Sequence, residues 1–205
     1  AGDFGTHKVV NFFPGTNSPL RLGGPDGPVN KPSWTLEGMR ELYYGIFTPA
    51  VPISGQGTSV PAMTTFNNTV HMVYTGAHSS TIYHTSTING TDWTEANVFE
   101  GKSSLLALAS LPNCMVLIAP DTNNTKQLWC CQSSDGVTWT ELKRIEGQSS
   151  ATPALAAFGT SVHMVYPSSS ANDTTLYHTY SANGQDWSAP KVIPNSKAYF
   201  VALTQ

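Results

Sequence analysis

Charge is scarce in this chain. Of its 205 residues only 11% are Asp, Glu, Lys or Arg, and the formal net charge is -3. Without a basic field to collect phosphates or anionic lipid, nucleic acid and charged membranes are excluded as expected partners. Long apolar runs are also missing. No stretch approaches the roughly 20 residues that span a bilayer, so no membrane insertion is expected. The chain opens on Ala1-Gly2-Asp3 without a signal peptide, as a processed N-terminus would. No run of apolar residues keeps a helical period long enough to make a convincing helix. Gly-x-Ser-x-Gly, His-Glu-x-x-His and phosphate-loop patterns are all lacking, and the carboxylates are scattered rather than paired. The expectation is therefore a non-enzymatic protein that needs no cofactor.

Cysteine is rare too, with three in the chain. Cys114 falls at the start of one predicted strand and Cys130 and Cys131 at the end of the next. A cross-strand Cys114–Cys131 disulfide is geometrically open in an oxidising compartment, leaving Cys130 over. Three buried free thiols is the alternative. Solubility comes instead from Ser, Thr, Asn and Gly, which suits an extracellular surface. Four Asn-x-Ser/Thr sequons begin at Asn67, Asn89, Asn123 and Asn172, each in a predicted turn or loop. These are candidate glycosylation sites, and secretion is expected.

What the chain has in abundance is repetition. Phe47, Trp93, Trp139 and Trp187 fall 46, 46 and 48 residues apart, and Gly55, Gly101 and Gly147 repeat at 46. A period in this range marks a stack of supersecondary units, none of which buries its apolar face alone. The first copy reads Val70-His71-Met72-Val73-Tyr74, Ile82-Tyr83-His84-Thr85, Asn89-Gly90-Thr91-Asp92-Trp93. The third reads Val162-His163-Met164-Val165-Tyr166, Leu176-Tyr177-His178-Thr179, Asn183-Gly184-Gln185-Asp186-Trp187. The middle copy diverges, with Met115-Val116-Leu117-Ile118, Leu128-Trp129-Cys130-Cys131 and Asp135-Gly136-Val137-Thr138-Trp139.

Each copy holds four strand-length runs rich in Val, Ile, Tyr and Thr and bounded by turn residues. Asn-Gly and Asp-Gly predict a tight type I′ turn between the third and fourth strands, because both its central residues need positive φ. Four antiparallel strands per repeat is the pattern of a β-propeller blade, so the expected fold is all-β. A β-sandwich has no reason to repeat its sequence. The whole chain, 1–205, reads as one propeller domain with repeats at about 55–100, 101–146 and 147–195.

A fourth blade is expected to be composite, built from 1–54 and 196–205. Phe47 to Ile53 fills the slot of a fourth strand, and Tyr199-Phe200-Val201-Ala202-Leu203 that of a first. Lys8 to Phe13 and Glu41 to Ile46 would supply the middle strands and close the ring. Pro14 to Pro32 reads as a long loop. Alternatively the open ends pair with another chain, giving a homo-oligomer.

The Gly-x-x-Trp endings, as in Ser133-Ser134-Asp135-Gly136-Val137-Thr138-Trp139, resemble the Asp-box of sialidase-like propellers. The wider pattern of Val-His-Met-Val-Tyr, Leu-Tyr-His and Asn-Gly-x-x-Trp is similar to blades of fungal and bacterial propeller lectins. One departure is that the acid or amide here directly precedes the Gly, where the Asp-box has its Asp two residues before. What the resemblance implies for the three Trp is a structural place between blade layers. Sialidase chemistry, as the family implies it, uses three convergent arginines, whereas this chain has only Arg21, Arg40 and Arg144, two of them outside the repeats. Sialidase activity is not expected.

The remaining polar signal is His71 with His84 and His163 with His178, predicted to face each other on adjacent strands. Two ligands are too few for a structural zinc site, and no metal is expected. A sugar offers one apolar face and a rim of hydroxyls, so its site wants an aromatic platform with a polar neighbour. The candidate carbohydrate-binding residues are Tyr83, His84, Trp129, Tyr177 and His178. The function expected is a secreted, multivalent lectin that binds glycans or glycoproteins between blades. A protein-binding propeller is the alternative, and a glycoside hydrolase the third.

Overall fold

A computed structural model describes residues 52–123, 125–170 and 172–203. Among these no helix occurs, and twelve strands form three four-stranded antiparallel sheets, each joined in chain order. The first blade contains β1 (Thr58–Phe66), β2 (Thr69–Gly76), β3 (Thr81–Thr87) and β4 (Asn97–Lys102). The second contains β5 (Ala107–Ser110), β6 (Met115–Pro120), β7 (Gln127–Ser133) and β8 (Lys143–Ser149). The third contains β9 (Ala154–Phe158), β10 (Ser161–Pro167), β11 (Thr175–Ser181) and β12 (Lys191–Lys197). Among the first strands, β5 adjoins both β1 and β9. These are successive blades of a β-propeller, as the period predicts. The strands expected from Lys8 to Phe13 and Glu41 to Ile46, and the Pro14 to Pro32 loop, lie outside the described residues. Residues 198–203 are not in a strand.

The apolar residues form two layers, and each layer lies between blades rather than inside one. Strand β6 shows why. Met115, Leu117 and Ala119 point toward the first blade and pack with Val73, Ile82 and Phe66. Val116 and Ile118 point the other way and pack with Val162, Met164 and Tyr166 of the third blade. Alternation along a strand buried on both faces produces a continuous apolar run, which is what residues 115–119 read as. Hydroxyls tie the first strands together: Thr64 donates to Ser110 Oγ at 3.1 Å, and Ser110 donates to the Thr65 carbonyl at 2.8 Å.

The turn chemistry corrects one expectation. Asn67 and Asn68 both have positive φ, 48° and 58°, so the type I′ hairpin joins β1 to β2. At the Asn-Gly and Asp-Gly sites only the glycine is left-handed, with φ of 78°, 80° and 74° at Gly90, Gly136 and Gly184. The side chain before it builds the turn instead. Asp135 Oδ1 accepts the Val137 and Thr138 N–H groups at 2.8 and 2.7 Å, while Ser133 Oγ accepts the Gly136 N–H at 2.9 Å. Asn89 with Thr87, and Asn183 with Ser181, repeat the arrangement. This is a side-chain-capped turn. The chain then runs past the Trp before the fourth strand begins.

The cysteines also differ from the disulfide expectation. All three are buried and unbridged. Cys114 belongs to the layer facing the third blade and Cys131 to the layer facing the first, so the sheet separates the two thiols. Burial raises the pKa of each.

Candidate functional site

The same groove recurs at the blade boundaries. Between the first and second blades, Asn97, Phe99 and Gly101 of β4 face Trp139, Thr140, Glu141 and Leu142, with His84 at the floor and a volume of about 660 Å³. Between the second and third, Lys143 to Gln148 of β8 face Gln185 to Pro190, including Trp187, around about 390 Å³. A third groove sets Ser54 to Gly57 against Tyr74, Tyr83, Trp93 and Glu95, around about 540 Å³. Each therefore combines one tryptophan with polar groups at its rim.

The tryptophans are half-buried, and Trp139 and Trp187 pack against the two interblade layers. Phe99 meets Trp139 edge to face at 5.0 Å. The residue after each Trp anchors it. The N–H groups of Thr94, Thr140 and Ser188 donate to the carbonyls of Ser86, Gln132 and Tyr180, each at 2.9 Å. Their hydroxyls accept the N–H of those same residues at 3.0 to 3.1 Å. In the outer blades Thr85 and Thr179 add hydroxyl bonds of 2.7 Å to the Thr94 and Ser188 carbonyls.

Several polar atoms at these boundaries are buried without a hydrogen-bond partner among the described residues: Trp139 Nε1, Trp187 Nε1, Gln56 Oε1 and Gln148 Oε1. The Trp187 indole lies beside the Cys130 thiol, a weak acceptor. Gln56 and Gln148 hold matching places. The Gln56 amide donates to Thr85 Oγ1 at 3.3 Å, and the Gln148 amide to the Ser188 carbonyl at 3.2 Å.

The histidine pairs are diagonal rather than directly opposite. Val73 faces His84 and His71 faces Ser86 across the β2–β3 ladder, yet the two imidazoles share a face. His71 Nδ1 and His84 Nε2 are 3.1 Å apart with rings stacked at 5.3 Å; His163 Nδ1 and His178 Nε2 are 2.9 Å apart, stacked at 5.2 Å. Each pair thus spends one nitrogen of each ring on its partner. Desolvation, then the neighbouring His71, lowers His84 to about 4. Burial also lowers His71 and His178.

Neighbours on one strand point to opposite faces, and this divides the predicted carbohydrate set. Tyr83 stacks on Tyr74 at 5.4 Å and lines the Trp93 groove, whereas His84 lines the Trp139 groove. Tyr177 stacks on Tyr166 at 5.7 Å, against the layer between the second and third blades, and His178 faces away from it. Trp129 is half-buried, paired in register with Ala119 and Arg144. No blade brings its aromatic and its histidine into one cluster. Residues not predicted, Gln56, Gln148, Phe99, Glu95 and Glu141, line the grooves instead. A signal existed: Gln56 and Gln148 follow the repeating glycines, and Glu95 and Glu141 follow Trp93 and Trp139 by two residues. All four sequon asparagines are exposed.

No protein-family model and no curated protein sequence matches the chain. Solved structures share its fold. An alpha-L-arabinanase from Penicillium chrysogenum is 15% identical, with a TM-score of 0.55 over 69% of this chain and 51% of its own. An alpha-L-arabinofuranosidase from Fusarium graminearum is 14% identical, with a TM-score of 0.51 over 68% of this chain and 49% of its own. A lectin from Aleuria aurantia is 14% identical, with a TM-score of 0.49 over 69% of this chain and 49% of its own. This chain spans about half the length of these three structures. The expectation of a non-enzymatic protein is overturned here, because glycoside hydrolases are among the structures built on this fold. Scattered carboxylates in a sequence exclude no acid pair, since folding brings distant blades together.

Proposed function

We propose that the protein binds glycans in the grooves between consecutive blades, with the Trp139 groove as the principal site. The observation that carries this is the half-buried Trp139 ring with Phe99 beside the exposed Asn97, Thr140 and Glu141 in one groove. Apolar ring surface beside exposed hydrogen-bonding groups is the chemistry that a sugar complements. The glycan-acting proteins that share the fold support this class of ligand. The capped Asn/Asp-Gly-x-x-Trp turns support a kinship with Asp-box propellers.

A glycan array tests it. Defined glycans should be retained by the wild-type chain, and Asn97→Ala with Glu141→Gln, both at exposed rim positions, should together weaken retention about thirtyfold without lowering the melting temperature. Each lost hydrogen bond to a ligand is worth about 1 kcal/mol. No binding at high protein concentration would sink the proposal. Release of reducing ends from bound polysaccharides separates hydrolysis from binding alone.

Secretion is part of the same reading, supported by the exposed sequons. Asn89 is the poorest acceptor of the four, because its amide donates to Asp92 at 2.6 Å and its carbonyl holds the turn. Expression in a glycosylating host should therefore load Asn67, Asn123 and Asn172 before Asn89, read by peptide mass.

A further inference from the structure

At both interblade junctions the capped turn of one blade presses on the second and third strands of the blade before it. A Cβ on Gly136 would lie 2.7 Å from His71 Cε1, and one on Gly184 would lie 2.5 Å from Val116 Cγ2. Trp139 makes a T-shaped pair with His84 at 5.7 Å. The receiving surface is thus built from equivalent positions in each blade. Phe66 and Leu111 at its edge are 5% and 6% exposed, because the following blade covers them.

Among the described residues nothing covers the same surface of the third blade. Phe158, in the place of Phe66, is 79% exposed, and Tyr180 beside the His163–His178 pair is 47% exposed. Phe158 stands edge to face with His163 at 6.1 Å, much as Phe66 tilts against His71 at 6.4 Å. The complementary part is free on the first blade. A Cβ on Gly90 meets nothing within 4 Å among the described residues, and Ile88 in the same turn is exposed.

We propose that this open face of the third blade is an assembly surface, and that its occupant is the Asn89-Gly90-Trp93 turn of a second copy of this chain. Two observations select a second copy. The two surfaces are the halves of a junction that the chain already makes twice. The turn that fits is present on every copy, and no described residue fills the space beyond Gly90. Head-to-tail contacts of this kind build rings where the rotation closes and open chains where it does not. The inference goes beyond the glycan reading and does not rest on it.

Sedimentation in sugar-free buffer tests it, over a wide concentration range. The wild-type chain should associate as concentration rises. Gly90→Asn should be monomeric throughout with an unchanged melting temperature, since Asn67, Asn68 and Asn195 already occupy positive φ and the position faces open space, but its Cβ would strike the imidazoles of the second copy. Phe158→Asp, at an exposed position, should also be monomeric. Mixing the two variants restores one intact junction, so the mixture should form a dimer and stop there. A wild-type chain that stays monomeric at the highest concentration overturns the proposal. So does a variant that assembles like the wild type, or a mixture that forms no dimer.

Discussion

Gly90, Gly136 and Gly184 share one backbone conformation, yet the space beyond each differs, and substitution separates the two effects. Alanine at Gly90 should cost only the left-handed strain of about 1–2 kcal/mol. Alanine at Gly136 adds the overlap with His71, and overpacking costs roughly 1–3 kcal/mol more. Urea denaturation of the two variants checks the ordering. His84 makes a second residue-scale prediction. Its unfolded form titrates near 6.5 and its folded form at about 4. Above the first value both forms are neutral and stability is full. As pH falls from about 6.5 to about 4 the unfolded chain takes up a proton that the native state refuses, so stability drops, on the order of 2–3 kcal/mol in all, and then levels. The lowered His71 acts in the same direction. Replacing the pair with the middle blade's residues, His71→Val with His84→Cys, should flatten that part of the profile, measured by thermal denaturation across the window.

At the scale of elements, the side-chain-capped turn is the device that aims each tryptophan. Ser133 Oγ is buried, accepts the Gly136 N–H and donates to Asp135 at 3.1 Å. Ser133→Ala leaves that buried N–H without its acceptor and should destabilise by about 1–3 kcal/mol, whereas alanine at exposed Ser134 should change little. Chemical denaturation of both variants measures the contrast. This turn also marks where sequence reading stopped. Asn-Gly was legible as a turn, but the hydroxyl two residues before the Asn or Asp decides its type. That hydroxyl leaves one positive φ per turn and hands the type I′ hairpin to Asn67-Asn68. Strand positions were legible because the β-branched and aromatic runs recur in register. The strand faces were partly legible: alternation predicts that Tyr83 and His84 diverge, and the platform expectation overlooked it.

For the whole molecule, the period at the repeating tryptophans revealed blades but not grooves, because each groove takes its walls from different copies. Phe99 and Trp139 are 40 residues apart, and only the packing of one blade on the next makes them neighbours. The same arrangement predicts cooperative unfolding. Leu117 lies in one interblade layer and Met164 in the other, both fully buried. Leu117→Ala or Met164→Ala should each cost about 2–5 kcal/mol and move a single transition, seen alike by circular dichroism and calorimetry, since no blade keeps its apolar face covered alone. Two separate transitions would show that the blades are independent. The neighbours of the tryptophans add an optical consequence. Trp187 lies against the Cys130 sulfur and Trp139 makes a T-shaped pair with the His84 ring. Thiols and protonated imidazoles quench indole emission, while neutral imidazole does so weakly. Trp187 should glow dimly at any pH and brighten when its junction parts, and Trp139 should darken only in acid, so the light from each seam tells which one has opened.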